Sequence, residues 1–413
     1  MSKNKEKKEK KKGGGFMSLF KKKKEEEEIM ISEPSQFEQL AHVALSDSGL
    51  TGFPEEWREK LKEAGFTGDE IKLNEDECKT VVTTGIPNDQ PSRATFSSNV
   101  EEEEDDISGF TTLSDPDENY ENLAKTLYGD EDEYMATRKS DGMEVSLRRM
   151  RITKKTKRAV VREVSVLSKC KNKNIVQYVE CYLINDMLWL VTELMNAGEL
   201  TNVIDLHQSL PMKEPQIAYV CKQVLQALEY LHSMKIIHRD VKSDNILLHR
   251  SGAVKLSNFG FAAILTDKNP TRNSIIGTPF WMPPELIKSQ NYDTKVDLWS
   301  LGITCREASD GTPPYMDLPP MKALFKITTS GIPPLQGNWD DKFKKFLDRC
   351  LCVDPTQRAT ATQLLADPFL TMECTENEFV DFLDEVRKLA DEELAQENSQ
   401  EGADQDSQGS QQE

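Results

Sequence analysis

Residues 236–260 read IIHRDVKSDNILLHRSGAVKLSNFG, and this stretch decides the fold. Two short apolar runs, 246–248 and 254–256, flank the turn signal Arg250-Ser251-Gly252, which predicts a β-hairpin. Polar residues crowd the loop before the hairpin, and an Asn-Phe-Gly tripeptide follows it. Upstream, apolar residues at spacings of three and four predict an amphipathic helix that runs toward this loop: Ile217, Val220, Val224, Leu228 and Leu231.

The polar loop matches a known motif. His238, Arg239 and Asp240, followed by Lys242 and Asn245, resemble the H-R-D-x-K-x-x-N pattern of protein kinases. The resemblance implies that Asp240 accepts the proton of an attacking hydroxyl and that Asn245 holds Mg²⁺. It also implies that Lys242 steadies the transferred phosphate.

Three features depart from this family pattern, all in the implied nucleotide site. Arg148 stands where the motif V-A-I-K has its lysine, and Asn258 stands where Asp-Phe-Gly has its Mg²⁺-binding carboxylate. The region that matches the glycine-rich loop, 129–134, holds one glycine followed by four acidic residues. Glu163 fits the glutamate of helix αC, and the planar guanidinium of Arg148 is expected to pair with it. Alternatively, Arg148 makes an altered contact with phosphate.

These changes all weaken the binding of one ligand, Mg·ATP. Carboxylates repel its triphosphate, and an amide replaces a carboxylate that would bind the metal. The sequence therefore predicts a kinase fold that has no cofactor and no metal site. The predicted site residues are Asp240, Lys242 and Asn245, which are retained, and Arg148, Glu163 and Asn258, which are degenerate ATP and Mg²⁺ positions. The alternative is an atypical but active serine/threonine kinase that uses Mg·ATP.

A second motif lies near the N-terminus, within ISEPSQFEQLAHVALSDSG from Ile31. It resembles the CRIB motif I-S-x-P-x-x-F-x-H-x-x-H-x-G, which binds GTP-loaded Rac-type and Cdc-type Rho GTPases. Such an extended segment can add a strand to an exposed sheet edge. The residues expected to contact the GTPase are Ile31, Ser32, Pro34, Phe37, His42 and Trp57. The other interpretation is an ordinary hairpin and helix.

The match to the CRIB motif is incomplete. Gln39 replaces a family histidine and Ala44 replaces a family glycine, so weakened GTPase binding is expected. Pro54 suits the first turn of a helix that places Trp57 and Leu61 on one face. In families with this motif, the segment that follows folds back on the kinase domain as an autoinhibitor. Residues 66–85 match that segment only faintly.

The segment after Asn258 indicates a narrower family. Its FGFAA, R-x-S and GTPFWM strings resemble those of the PAK family, the Rho-GTPase-activated, sterile-twenty-like serine/threonine kinases. The resemblance implies that Ser274 is the activating phosphosite; the alternative is an unmodified polar loop residue. It also implies that Asp297 supports the catalytic loop and that Arg358 pairs with Glu285.

The expected fold is α+β: a bilobal protein-kinase fold with a small β-rich N-lobe and a large helical C-lobe. We predict five regions: a disordered basic tail at 1–30, a GTPase-binding and possible autoinhibitory segment at 31–85, an acidic linker at 86–118, a kinase-like domain at 119–370, and an amphipathic helix with an acidic disordered tail at 371–413. Within the linker, the acidic run 101–106 is interpreted as solvated chain or as a docking strip for a basic partner.

Composition restricts the partners. The net charge of −19 argues against nucleic-acid binding, and no apolar run approaches membrane-spanning length. The eight cysteines form no C-x-x-C pair and are expected to be reduced thiols in a cytoplasmic protein. The Lys-rich N-terminus allows a peripheral contact with an anionic membrane.

Together these features predict an inactive PAK-like kinase, a pseudokinase, that acts as a scaffold or regulator in Rho-family GTPase signalling. The expected partners are a Rac-type or Cdc-type GTPase and kinase or scaffold proteins. Besides the active kinase, one further alternative is a competitor that sequesters GTP-bound Rac-type GTPase from active relatives.

Overall fold

The computed structural model describes the following residues: 53–87, 93, 96–97, 111–112, 115–126, 132–154 and 156–409. Several predicted positions lie outside them, namely Ile31, Ser32, Pro34, Phe37, His42 and residues 129–131 of the acidic loop.

Three short helices begin the described chain: α1 at Glu55–Glu63, α2 at Gly68–Leu73 and α3 at Glu75–Thr83. Pro54, which the sequence analysis placed in the first turn, directly precedes α1 as its N-cap residue. Thr67 and Glu70 form a reciprocal capping box at the start of α2, which satisfies two backbone N–H groups that the helix leaves unpaired. Apolar residues of the three helices, including Leu61, are buried against the C-lobe.

The N-lobe is built on a six-stranded sheet in the order β2-β6-β7-β5-β4-β3. Its strands are β2 Thr111–Thr112, β3 Tyr120–Lys125, β4 Glu133–Arg138, β5 Glu144–Arg151, β6 Tyr178–Ile184 and β7 Met187–Glu193. All neighbours are antiparallel except β2 and β6. Val145 and Leu147 alternate onto one face and pack in a small core with Tyr182 and Val191. Helix α4, Lys157–Leu167, packs beside β6.

The C-lobe is mainly helical. Its helices are α5 Leu200–Asp205, α6 Glu214–Ser233, α7 Pro284–Ile287, α8 Lys295–Asp310, α9 Pro320–Ser330, α10 Asp341–Cys350, α11 Ala361–Leu365 and α12, which begins at Glu376 and ends at Gly409. The predicted apolar stripe of α6 is buried along its whole length, from Ile217 to Leu231, which confirms that part of the sequence analysis. The residues of α12 from Asp384 onward belong to a separate unit of the chain.

Short strand pairs hold the loops between the lobes. Strands β9, Ile246–Leu248, and β10, Val254–Leu256, form the predicted hairpin with Leu248 opposite Val254. Strand β8, Ile236–Ile237, pairs with β11, Ala263–Ile264. These two pairs fix the catalytic loop at both ends, because the loop residues 238–245 lie between β8 and β9.

The interval 86–118 contains more structure than a linker. Strand β1, Phe96–Ser97, pairs with β12, Ile276–Gly277, and β2 joins the N-lobe sheet. A short 3₁₀ helix, Pro116–Glu118, follows β2. The composition of this interval is that of a solvated chain, but its strand pairs depend on distant parts of the sequence, which local composition does not report.

All eight cysteines are free thiols, and seven of them are buried. Among the helices of the described residues, none combines the length and the apolar character that a membrane span requires. Near the end of the kinase-like domain, Phe379 of α12 stacks on Tyr219 of α6, with ring centroids 4.5 Å apart. The amphipathic helix that the sequence predicts in this region therefore packs on the C-lobe at Phe379.

Candidate functional site

Asp297, near the start of α8, holds the catalytic loop through hydrogen bonds to its backbone. One carboxylate oxygen accepts the backbone N–H of His238 at 3.0 Å, and the other accepts that of Arg239 at 2.8 Å. His232 lies 2.9 Å from the same carboxylate. Burial opposes ionisation of Asp297, but these bonds outweigh it and lower the pKa of this carboxyl. Asp297 thus supports the loop as the sequence analysis expected.

The second expected structural pair is also present. Arg358 donates to both carboxylate oxygens of Glu285, at 2.6 and 3.0 Å, and both side chains are buried. A bidentate guanidinium–carboxylate pair fixes the relative position of two chain segments. This pair therefore anchors the end of the activation segment to the C-lobe.

Asp240 is positioned by its neighbours on both oxygens. Thr278 donates its hydroxyl to Oδ1 at 2.7 Å, and Asn245 donates its amide to Oδ2 at 3.0 Å. Lys242 Nζ lies 3.9 Å from Oδ2. The contact with Thr278 shows that this carboxylate is placed to accept a hydrogen bond from an alcohol group. The contact with Thr278 was not predicted from the sequence, because it joins two separate loops.

The position of the expected metal-binding carboxylate is occupied by a neutral amide. Asn258 donates its Nδ2 to Oδ1 of Asn245 at 3.0 Å, so the two amides bind each other. Asn258 has φ of 62°, a left-handed conformation that asparagine tolerates better than most residues. Within the part of the chain that the structure describes, no cluster of three His, Cys, Asp or Glu side chains could hold a metal ion. Mg²⁺ prefers carboxylates and phosphates, so this donor set fits it poorly.

Arg148 forms the predicted ion pair with Glu163 of α4. Glu133 lies directly opposite Arg148 in the β4–β5 pair, and its carboxylate accepts the hydroxyl of Ser146 at 2.6 Å. The ion pair with Glu163 joins α4 to strand β5.

Comparison with known proteins agrees with this geometry. The protein kinase domain model matches residues 132–370, and the P21-Rho-binding domain model matches residues 30–84. The serine/threonine-protein kinase pakC of Dictyostelium discoideum is 38% identical over 366 residues, which cover 87% of this chain and 77% of that protein. The chain belongs to the PAK family of serine/threonine protein kinases.

Other PAK-family relatives are longer than the region they share with this chain. The kinase pakA of the same organism is 37% identical over 86% of this chain but only 30% of its own length. The kinase STE20 of Saccharomyces cerevisiae is 41% identical over 62% of this chain and 28% of its own length. The shared part therefore ranges from most of one relative to about a third of the others.

The segment after the GTPase-binding motif folds back on the kinase domain, as the PAK resemblance implies. Phe66, just before α2, packs edge-on against Phe325 of α9, with ring centroids 5.0 Å apart. Lys322 of α9 donates to Glu70 at 2.5 Å and lies 4.3 Å from the centre of the Phe66 ring. The sequence match at 66–85 is faint, yet the structure shows that this segment contacts the C-lobe. Apolar residues at helical spacing make this contact, and they need no fixed motif.

Trp57 is the one predicted GTPase contact that the structure describes. It is half-buried on α1 and packs near Phe53, with ring centroids 6.1 Å apart. Trp57 borders the apolar cluster that attaches these helices to the C-lobe. A partner that binds Trp57 would therefore disturb the packing of α1–α3 on the C-lobe.

Arg93 is the functional residue that the sequence analysis missed. Its guanidinium donates to Ser243 at 3.0 Å, to Asp244 at 2.9 Å and to Glu307 at 2.6 Å. Its backbone carbonyl accepts Lys242 Nζ at 2.6 Å. Arg93 thus contacts three consecutive residues of the catalytic loop, 242–244. A lone arginine in a stretch of Pro, Ser and Asn was the only signal, and it is weak.

The Arg93 pocket is strongly acidic. Glu307 is fully buried, and burial raises the pKa of its carboxyl although Arg93 opposes the shift. Burial also raises the pKa of Asp205, again against the attraction of Arg93. The ring of Trp281 lies 5.5 Å from the guanidinium carbon of Arg93 and covers one side of the pocket. The pocket is therefore built to hold one arginine side chain.

Ser274 is buried in this conformation. It contacts Arg239 Nη1 at 3.0 Å and Tyr292 Oη at 3.2 Å. Two residues later, β12 pairs with β1, and Gly277 has φ of 137° with the carbonyl of Arg239 so close that a Cβ would lie 3.0 Å from it. The activation segment is therefore paired through β12 with β1, the strand that follows Arg93 in the chain.

Proposed function

We propose that this chain is a catalytically impaired PAK-family kinase, a pseudokinase, that acts as a scaffold or regulator in Rho-family GTPase signalling. The proposal rests on the hydrogen bond between the side-chain amides of Asn258 and Asn245. Phosphoryl transfer depends on metal and cationic groups that neutralise the phosphates. Here two neutral amides are hydrogen-bonded to each other at the position where positive charge is needed to neutralise the phosphates.

Two further contacts support the proposal. Arg148 is engaged by Glu163, and Glu133 places a second carboxylate opposite Arg148. Carboxylates at this place raise the electrostatic cost of bringing in a triphosphate. The proposed cofactor is therefore none, and Arg148 and Glu163 serve to hold α4.

In this proposal, the kinase fold is a binding platform that helices α1–α3 and Arg93 keep closed. A GTP-loaded Rac-type or Cdc-type GTPase binds the segment from Ile31 to Trp57 and displaces helices α1–α3 from the C-lobe. The groove beside Asp240 and Glu307 then becomes available to kinase or scaffold proteins. We place this switch in the cytoplasm, with the Lys-rich N-terminus making a peripheral membrane contact, and we propose phosphorylation of Ser274 as a second level of control.

A thermal shift with Mg·ATP, with EDTA as control, tests the proposal. A ligand at 100 times its Kd stabilises a protein by about 2.7 kcal/mol. For a domain of this size, the corresponding rise in Tm is about 5–10 °C. We expect no Mg²⁺-dependent rise of that size. A rise would overturn the pseudokinase assignment.

One observation favours a second candidate, an active but atypical serine/threonine kinase that uses Mg·ATP. Asp240 already accepts a hydroxyl from Thr278, and Lys242 and Asn245 are in place. Phosphate transfer to a protein substrate that is abolished by Asp240→Asn would establish this candidate. The competitor hypothesis requires tight binding of GTP-loaded but not GDP-loaded GTPase, and a pull-down with equal recovery in both states would remove it.

A further inference from the structure

The N-lobe sheet carries further polar groups next to Arg148, on the same face of strand β5. Successive side chains of a strand point to opposite faces, so Ser146 and Arg148 share one face. Val145 and Leu147 point to the other face, where they belong to the small N-lobe core. The face with Ser146 and Arg148 is connected to the catalytic side through α4. Arg148 pairs with Glu163 of that helix, and the helix contacts the Asn-Phe-Gly tripeptide.

A nucleotide bound as in active kinases would lie along this face. The residue at position 148 would pair with its α- and β-phosphates, and the reacting phosphate would point to Asp240. The nucleoside would then extend in the opposite direction, toward the connection between β7 and α5. Ser146 lies at that end of the face, because its neighbour Val145 is opposite Glu193, the last residue of β7. Ser146 therefore marks the part of the cleft that would receive a nucleoside.

A polar pair occupies this part of the cleft. Ser146 is buried, and its hydroxyl donates to Oε1 of Glu133 at 2.6 Å. Glu133 lies opposite Arg148 in the β4–β5 pair, so its side chain is on the same face and reaches along it to Ser146. The carboxylate group therefore lies beside the position of the nucleoside, and the serine hydroxyl is already used by that carboxylate.

We propose that Glu133 and Ser146 exclude the nucleoside itself, independently of the phosphates and the metal. Pockets for flat organic ligands are lined mainly by apolar and aromatic side chains. A nucleobase on this face would remove water from a carboxylate that is hydrogen-bonded to a neutral hydroxyl, and dehydration of a charged group is costly. The inference deepens the proposed function, because it adds a barrier against the nucleoside to the poor fit of Mg²⁺ and triphosphate.

Adenosine tests the proposal, because it has no phosphate and needs no metal. Its binding to the full chain can be measured by ligand-observed NMR, and the wild type should bind it at most weakly. Glu133→Val combined with Ser146→Ala should bind adenosine about ten- to a hundredfold more tightly, since no charged group has to lose its water. The matched control, Glu144→Val with Ser140→Ala, makes the same chemical changes at two exposed positions and should behave as the wild type.

A second variant protects the test against misfolding of the first. Glu133→Thr with Ser146→Ala removes the charge but keeps a polar, β-branched residue that suits a strand. It should show the same gain in adenosine binding. Equal affinity of the wild type and a variant that keeps the wild-type Tm would overturn the proposal, and Glu133 and Ser146 would then be a contact that only stabilises the sheet.

The same measurements separate this inference from the pseudokinase proposal. If the wild type binds adenosine as the variants do but is not stabilised by Mg·ATP, the exclusion of the nucleoside is wrong and the pseudokinase proposal stands. If Mg·ATP stabilises the wild type while adenosine binds only the variants, the pseudokinase proposal is wrong and the nucleoside barrier stands.

Discussion

Arg93 Nη2 donates to Glu307 Oε1 at 2.6 Å, although 214 positions separate the two residues in the sequence. Glu307 is fully buried, and its second oxygen has no hydrogen-bond partner among the described residues. Removing the cationic partner of a buried carboxylate strongly destabilises the folded protein. This relationship makes Arg93 a polar anchor between the chain that precedes the N-lobe sheet and the kinase domain.

Arg93→Ala should release that anchor. Removing one partner of a buried ion pair costs about 3–5 kcal/mol. The released segment should bind GTP-loaded Rac-type GTPase about tenfold more tightly, because a larger fraction of the chain is in the open state. Binding can be measured by calorimetry. Arg387→Ala, in an exposed pair with Asp391, is the control, and equal affinity of the two variants would contradict the role of Arg93.

Glu70 should make the docking of α1–α3 sensitive to acid. Burial opposes its ionisation, but Lys322 and Thr67 lower the pKa of this carboxyl from 4.5 to about 2. A folded pKa below the unfolded one gives stability that is complete above pH 4.5 and is lost as the pH falls toward 2. Amide exchange of α3 across this window should show the loss.

Lys322→Met should remove most of this pH dependence and weaken docking at pH 7 by about 1 kcal/mol. Lys326→Met is the matched control, because Lys326 lies 3.7 Å from the same carboxylate and contributes less. If the two variants lose the same pH dependence, then Lys322 is not the main partner of Glu70.

Asn258→Asp should destabilise the protein when Mg²⁺ is absent. The new carboxylate cannot donate to Oδ1 of Asn245, so the bond is replaced by two facing acceptors. We expect a loss of about 1–2 kcal/mol of unfolding free energy in EDTA. Urea denaturation measures it. If Mg²⁺ restores the stability of the variant but leaves the wild type unchanged, the neutral amide is the reason that the wild type fits Mg²⁺ poorly.

Arg148→Lys combined with Asn258→Asp restores both family residues but leaves the acidic residues 130–133. Because these carboxylates repel the triphosphate, we expect little recovery of kinase activity in a radiolabelled-phosphate assay. The same double variant with Asp240→Asn provides the background. Strong recovery would show that the acidic loop does not matter.

Arg358→Ala should be strongly destabilising. It leaves Glu285 buried without its bidentate partner, and we expect a loss of about 3–5 kcal/mol. Arg138→Ala removes an exposed pair with Asp141 and should cost at most about 1 kcal/mol. Denaturant titration of both variants checks the difference, and similar losses would contradict the structural role of the buried pair.

Local sequence determined the elements that carry the chemistry. The hairpin after Asn245 follows from two short apolar runs around a turn, and the stripe on α6 follows from its spacing. The order and spacing of Asp240, Lys242 and Asn245 fixed the catalytic loop, because its residues are adjacent in the chain. The ion pair between Arg148 and Glu163 followed from the residue types once the family pattern had aligned them.

Only the tertiary structure decided what occupies that loop. Arg93, Thr278 and Glu307 come from three distant parts of the chain, and none has a spacing that predicts the others. The residues around Arg93 are polar and read as linker, since local composition reports solvation but not long-range pairing. Burial leaves the Glu307 carboxylate in need of a cationic partner, and the fold supplies Arg93 from the chain that precedes the N-lobe sheet.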